Sequence, residues 1–378
     1  MPNSTYFFLL GRTPELSLVE LQSLIAQPVT RIAPEFASAE FESSSDAERI
    51  FQILGGSLKV MKLEGEFIDL APEDLPHHMA AYLAQEERPT FALAEFHRGQ
   101  AERIDTAEIK KILKKQNKSS RFIDGPRDGL SAAVLLHHKV TELNIIQIEN
   151  KTLFAKTLAV QDIDDWTQRD RAKPYADRKK GMLPPKLARI MVNMAVGQHS
   201  KVLVYDPFCG SGTVLMEALM RGCDGLASDL DTKAVQGTQA NLEWLSETYQ
   251  LQQKFQVFQA DTTNFVPKQS DFPKVDALVT EPFLGKQTPK SDQLPNIFKG
   301  LEKLYLGAFK HWIKFLADEA KVVIVFPYVL DPKIAYSLEN ILDKLKTLGY
   351  TASSQPILYA RPDATVQRQI WTFEYRKI

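Results

Sequence analysis

The sequence predicts an α/β chain in which an open, mostly parallel sheet fills the C-terminal half and mixed α+β units precede it. Three observations carry this. Residues 201–222, KVLVYDPFCGSGTVLMEALMRG, read as strand, glycine turn and helix. Val202, Leu203 and Val204 form a short apolar run suited to a strand buried on both faces. Gly210 and Gly212 lack the Cβ that would hinder a sharp turn, while Ser211 and Thr213 favour a helix start. The beat then repeats: apolar runs at 225–229, 255–261 and 275–279 end at Asp229, Asp261 and Thr280-Glu281. Before residue 160, by contrast, strands and helices alternate without a regular βαβ rhythm, as small α+β domains do.

At 378 residues the chain exceeds one ordinary domain. Hydrophobic residues make up 44% and charged residues 25%, and no apolar run approaches the roughly 18 residues of a membrane span. The start, Met1-Pro2-Asn3-Ser4-Thr5, lacks the basic opening of a secretory signal. Cys209 and Cys223 are the only cysteines, too few for a disulfide framework, so a cytoplasmic location is expected. A net charge of -1 argues against coating nucleic acid by bulk charge; any RNA contact must come from local patches.

Taken in order, residues 6–11 read as a strand, and Thr13, Pro14 and Glu15 open a helix whose apolar side is Leu16, Leu18, Val19, Leu21, Leu24 and Ile25. Alternating stretches at 36–41 and 58–63 complete a first domain, expected over 1–64. A second is expected over 65–160. There Asp105-Thr106 caps a helix over 107–118, with Ile109, Ile112 and Leu113 inward and Lys110, Lys111, Lys114, Lys115 and Lys118 outward. Such a stripe is either a solvated face or a row of phosphate contacts, with Lys110 and Lys114 as candidates. His137 and His138, on a helix over 131–140, point about 100° apart and are poorly placed to share a metal; the sequence shows no metal-ligand cluster, and no metal is expected. Residues 161–180 are polar and read as a linker, basic toward its end at Arg169, Arg171, Lys173, Arg178, Lys179 and Lys180, with Trp166 and Tyr175 interleaved. Arg178 is a candidate substrate contact. The last domain, 181–378, closes with a helix over 298–316, a strand over 321–326, a helix over 335–348 and an antiparallel hairpin from 351–359 and 369–375.

The acidic strand ends narrow the ligand. A glycine turn serving a phosphate presents bare N–H groups, and a carboxylate at its mouth would repel the charge. Asp206 stands at that mouth. A cofactor with a cationic centre and no phosphate, S-adenosylmethionine, matches better. Asp229 falls about twenty residues downstream, where a ribose-binding carboxylate is expected. Asp261 suits an adenine amine, because a carboxylate only accepts hydrogen bonds. Asp231 reads as the cap of the helix from Thr232, and Cys209 as a small packed residue of the turn.

The runs Asp206-Pro207-Phe208-Cys209-Gly210-Ser211-Gly212-Thr213 and Val279-Thr280-Glu281-Pro282-Phe283-Leu284-Gly285, with the lead-in 181–189, resemble those of the THUMP-domain tRNA guanine-N2-methyltransferases, a branch of the class I methyltransferases. The resemblance is strong over 165–285. It implies a seven-stranded Rossmann-like domain with a closing antiparallel hairpin, preceded by ferredoxin-like and THUMP-like RNA-binding domains. It implies methyl transfer from S-adenosylmethionine to the exocyclic N2 amine of a guanine in tRNA. The cofactor set it marks is Asp206, Phe208, Gly210, Ser211, Gly212, Thr213, Asp229, Leu230, Asp261 and Thr262. It puts Glu281 at the family's catalytic Asp, with the Pro282 region giving a carbonyl acceptor and Phe283 an aromatic. Arg361 and Arg368 fall where the family has a basic loop in its final hairpin. The fourth strand end departs from the usual Thr-Asp-Pro-Pro-Tyr-Gly: Glu281 is one methylene longer, Phe283 replaces the second proline and Leu284 the tyrosine. Two other readings fit the residues: a DNA amino-methyltransferase, or a catalytically silent RNA-binding scaffold or partner subunit.

Overall fold

Tyr6, Phe7, Phe8 and Leu10 of strand β1 (Ser4–Leu10) are buried, and the first sheet grows around them. The chain continues through α1 (Pro14–Leu24), β2 (Thr30–Ala33), β3 (Phe36–Phe41), α2 (Ser44–Ile53), β4 (Ser57–Ile68), α3 (Leu75–Leu83), β5 (Thr90–Phe96), α4 (Thr106–Lys115), β6 (Arg121–Phe122), α5 (Ala132–His138), β7 (Thr141–Ile148) and β8 (Lys151–Val160). These strands make one eight-stranded sheet, ordered β2-β3-β1-β4-β8-β7-β5-β6. The computed structural model describes residues 3–97, 103–138, 140–177, 182–199, 201–265, 273–331, 334–360 and 364–378. It divides into two units, the first of Met1–Pro14, Ile25–Ile53 and Ser57–Asp165, the second of Glu15–Leu24, Leu54–Gly56 and Trp166–Ile378.

Within the first unit, β4 runs without a break across residue 64 and pairs with β8 from Lys59↔Val160 to Ile68↔Lys151. The strands expected in two domains therefore share one sheet. Asp105 caps α4, accepting from the N–H groups of Ala107 and Glu108. Ile109 and Leu113 are buried while Lys110 and Lys114 are exposed. The side chains of His137 and His138 lie outside the described residues.

The second unit contains α6 (Ile163–Arg171), α7 (Pro185–Val196), β9 (Leu203–Asp206), α8 (Thr213–Met220), β10 (Asp224–Asp229), α9 (Thr232–Tyr249), β11 (Phe255–Gln259), β12 (Val275–Thr280), α10 (Leu294–Trp312), β13 (Leu316–Leu330), β14 (Ala335–Tyr336), α11 (Leu342–Thr347), β15 (Tyr350–Ala352), β16 (Ile357–Tyr359) and β17 (Gln367–Tyr375). Seven strands run β11-β10-β9-β12-β13-β17-β15, with β14 beside β13 and β16 beside β17. The pairs from β11 to β13 are parallel, and β17 closes antiparallel on β13. Strand alternation splits the core between the two faces. Ala277, Val279, Val323 and Val325 pack with α7 and α8, whereas Leu278, Val322, Ile324 and Phe326 pack with Phe309 and Trp312 of α10.

Three expectations are corrected. The stretch read as a linker is helical over Ile163–Arg171, with Trp166 and Arg169 buried. Arg169 lies over the Trp166 ring at 4.2 Å and its Nε donates to Glu217 Oε1 at 2.8 Å. Its polar sequence hid the helix because the buried polar residue is an ion-pair partner. The helix expected to reach residue 316 stops at Trp312, where the indole turns inward. The helix expected over 335–348 shrinks to α11 after the two-residue β14 and a 3-10 turn at Glu339–Ile341.

Candidate active site

The carboxyl ends of β9, β10, β11 and β12 assemble the site, because parallel pairing levels them. Ala227 of β10 pairs with Asp206 of β9 and Asp229 with Gln259 of β11. Thr280, the last residue of β12, donates its hydroxyl to Asp206 Oδ1 at 2.7 Å. That bond ties the glycine-turn motif to the Glu281 motif. Asp206 is only 2% exposed and also accepts from the Phe208 N–H at 3.2 Å. Burial pushes its carboxyl up to about 7, and the negative charges of Asp229 and Glu281 add to the rise.

The sign of the resulting pH dependence follows from linkage. The folded chain holds the Asp206 proton up to about 7, whereas an unfolded aspartate releases it near pH ~4. This group's contribution to stability is full below the unfolded value and is lost as pH rises through 7. Denaturant titrations across that window should show stability declining with pH, and Asp206→Asn should flatten the decline. An unchanged slope in the variant would contradict it. Glu20 behaves likewise over a narrower window. It accepts from the N–H groups of Gly55 and Gly56 at 2.8 Å each and from Asn193 Nδ2 at 2.7 Å, and burial raises its carboxyl to about 6.

The glycine turn needs its glycines. Gly210 and Gly212 have φ of 52° and 74°, and a Cβ on Gly212 would lie 2.8 Å from Thr238 Cγ2. α9 grips the turn: Thr238 Oγ1 donates to the Gly210 carbonyl at 3.1 Å, and Asn241 Nδ2 to that of Ser211 at 2.8 Å. Gly212→Ala should therefore cost about 1–3 kcal/mol in backbone strain and overlap and abolish measurable cofactor binding in isothermal titration; retained affinity would show the turn to be more yielding. α8 starts at Thr213 with Gly212 as its N-cap and no side-chain cap bond, so Ser211 does not serve as the cap, and Lys173 Nζ donates to Thr213 Oγ1 at 3.1 Å. Lys173 is 5% exposed and burial lowers its pKa. The sequence placed this lysine in the polar stretch read as a linker, open to solvation or to substrate contact; it instead braces the turn. Cys209 is buried, with its sulfur 3.4 Å from the Thr238 hydroxyl oxygen.

Asp229 is half-buried and accepts from the Gly210 N–H at 3.0 Å and the Asp231 N–H at 2.9 Å. Asp231 caps α9 through Lys233. Beside it Leu230 is 67% exposed. Asp261 accepts from Thr263 and Asn264, and the Thr263 hydrogen bond above all holds its carboxyl below the usual range. Thr262 is buried, its hydroxyl accepting from Trp312 Nε1 at 2.8 Å. Its side chain therefore serves the core.

At the fourth strand end, Glu281 and Arg368 form an ion pair, Nε to Oε1 2.5 Å and Nη2 to Oε2 3.4 Å, with side chains 17% and 12% exposed. Pro282 is buried. Phe283 is 64% exposed, while Leu284 packs on the core. The Tyr305 hydroxyl shares its one hydrogen between the carbonyls of Val325 at 3.2 Å and Phe283 at 3.4 Å, holding the loop after β12. Lys110 and Lys114 belong to the other unit; Arg178 and Arg361 lie outside the described residues. Among the described residues no group of three or more His, Cys, Asp or Glu could hold a metal, and no helix is long and apolar enough to cross a membrane.

Residues 174–327, which span every one of these strand ends, match the family described as RMKL-like, methyltransferase domain. A probable tRNA (guanine(10)-N2)-dimethyltransferase of Methanothermococcus thermolithotrophicus is 34% identical over 116 residues, 31% of this chain and 70% of that protein. The chain belongs to the RMKL-like methyltransferase family. The tRNA (guanine(10)-N2)-dimethyltransferase of Methanothermobacter thermautotrophicus is 29% identical over 205 residues. This match covers 54% of each chain, so the protein matches about half the length of that relative. In fold, the family member is similar to TrmN from Thermus thermophilus, with a TM-score of 0.54 at 15% identity over 98% of this chain and 99% of that one.

Proposed function

We propose that the second unit is an S-adenosylmethionine-dependent methyltransferase acting on the exocyclic N2 amine of a guanine in tRNA. The observation that carries the reading is the Thr280–Asp206 hydrogen bond, which joins a glycine-turn motif to the Glu281-Pro282-Phe283 loop at one edge of the sheet. The residues fit the cofactor. The turn of Gly210 and Gly212 admits close approach of the methionine portion, and Asp229 offers a carboxylate to ribose hydroxyls. Leu230, exposed without another role, suits one face of the adenine, and Asp261 suits its amine. S-adenosylmethionine supplies an electrophilic methyl group on a sulfonium centre.

The chain's own residues supply positioning. An exocyclic amine is a poor nucleophile because its lone pair is delocalised into the ring, so it must be oriented by acceptors and held in line. Glu281 and the Pro282 carbonyl are those acceptors. Phe283, exposed at the strand end, stacks a base turned out of its helix. Stacking of this kind contributes about 1–3 kcal/mol. Phe283→Ala should thus lower kcat/KM for tRNA by about 10- to 100-fold while cofactor affinity stays unchanged; an unaltered kcat/KM would remove Phe283 from the site.

The relatives named above act on tRNA, which favours RNA over DNA. For RNA capture we assign a ferredoxin-like segment, 1–64, and a THUMP-like segment, 65–160, with 161–180 leading into the methyltransferase domain 181–378. Lys110 and Lys114, exposed on α4, then meet phosphates, joined by Arg178 and Arg361. Both cysteines are buried and unpaired, which suits the cytoplasm. Incubation with methyl-labelled S-adenosylmethionine and either bulk tRNA or duplex DNA tests the substrate class. Label in tRNA is expected; label in DNA alone would overturn the reading.

A further inference from the structure

The Glu281–Arg368 pair is not explained by the need for an acceptor, because an acceptor alone requires no arginine. Arg368 sits in β17 opposite Pro327 of β13, beyond Ile324, which pairs with the last residue of β12. The closing strand thereby carries a guanidinium to the edge where Glu281 stands. The pair is largely withdrawn from water, with side chains 12% and 17% exposed, so its hydrogen-bonding capacity acts in a low local dielectric. Contact through Nε and Nη2 uses two of the five N–H donors of Arg368 and two of about four lone-pair positions on the carboxylate. What remains is an acceptor edge lying beside a donor edge.

That order has a counterpart. The Watson–Crick edge of guanine presents N2–H and N1–H donors followed by the O6 acceptor. Adenine presents no donor beside an O6-like acceptor: its N1 is an acceptor and its N6 a donor. We propose that Arg368 is a specificity-determining residue that donates to O6 of the target guanine while Glu281 accepts from its N1–H and N2–H. This rests on the guanine N2 reading above and adds to it the group that reads the base. The extra methylene of Glu281 relative to aspartate lets the carboxylate meet the arginine of the closing strand as well as the base. A site built to bond a substrate group rejects an analogue lacking it, because its own polar groups are left unpaired.

The test compares two transcripts of the same tRNA, one with guanine and one with 2-aminopurine at the methylated position. 2-Aminopurine keeps the 2-amine but lacks O6 and N1–H. The wild-type enzyme should prefer guanine by about 100-fold or more in kcat/KM. Arg368→Met should lower guanine methylation by about 10- to 100-fold more than it lowers 2-aminopurine methylation, the worth of a charge-assisted hydrogen bond, so that the preference narrows. Unchanged cofactor binding and melting temperature establish that the variant is folded; if it is not, Arg368→Gln, which keeps one donor, takes its place. Guanine methylation that falls in step with 2-aminopurine methylation, or does not fall, overturns the role of Arg368 while leaving the function intact. No methylation of any guanine by the wild-type enzyme overturns both.

Discussion

Glu281→Ala is expected to lower methyl transfer to tRNA by about 100- to 10,000-fold, the range that a positioned acceptor or proton carrier contributes, with cofactor affinity nearly intact. The separation follows from geometry. The residues proposed for the cofactor sit on the ends of β9, β10 and β11, whereas Glu281 follows β12 and bonds only Arg368 among the described contacts. Removing the carboxylate leaves that guanidinium, 12% exposed, without its ion-pair partner. Glu281→Gln keeps the shape and one acceptor, and should fall between wild type and alanine. Glu281→Asp restores the usual length of the motif but withdraws from Arg368, so it should recover methylation only in part. Single-turnover transfer of labelled methyl, beside isothermal titration of the cofactor, separates these effects. Full activity in the alanine variant would remove Glu281 from the chemistry.

The second large effect concerns stability. Glu217 of α8 is buried between Arg169 Nε, 2.8 Å from Oε1, and Arg189 Nη2, 2.7 Å from Oε2, with every side chain 4% exposed or less. Breaking a buried pair by removing one partner costs about 3–5 kcal/mol, because a desolvated charge is left without compensation. Here two guanidinium groups would be left, both lying near the Trp166 ring. Glu217→Gln should therefore lower the melting temperature by about 10 °C, at roughly 2–4 °C per kcal/mol for a unit of this size. The exposed pair Lys111–Glu108, at 2.9 Å on α4, is the control: Glu108→Gln should change stability by less than about 1 kcal/mol. A small shift for Glu217→Gln would mean that the network is dispensable.

The C-terminal half was legible because its strands are short, apolar and end in acidic residues. The strand and turn around Asp206, the cap at Asp231 and the strand ending at Asp229 all stand close to where pattern alone put them. α6 was not legible. Asp164, Asp165 and Asp170 give it a solvated look, and only a partner distant in sequence, Glu217, shows why Arg169 is buried. Lys173 escaped for the same reason, since burial against Thr213 leaves no local signal. The boundary drawn at residue 64 falls inside β4, whose continuity is masked by Lys59, Lys62, Glu64 and Glu66 among its apolar residues. Pairing with β8, about ninety residues on, makes it one central strand. Arg368 was noticed as a basic loop residue; its pairing with Glu281 needed the antiparallel register of β17 on β13.

The central claim is that this sheet edge transfers methyl to the N2 amine of a guanine in tRNA. The most direct measurement is nucleoside analysis of tRNA after incubation with the purified protein and S-adenosylmethionine. The account predicts N2-methylated guanosine, formed at least about 100-fold more slowly with Glu281→Ala. Label on another nucleoside, such as N6-methyladenosine, or intact tRNA despite demonstrated cofactor binding, would contradict it.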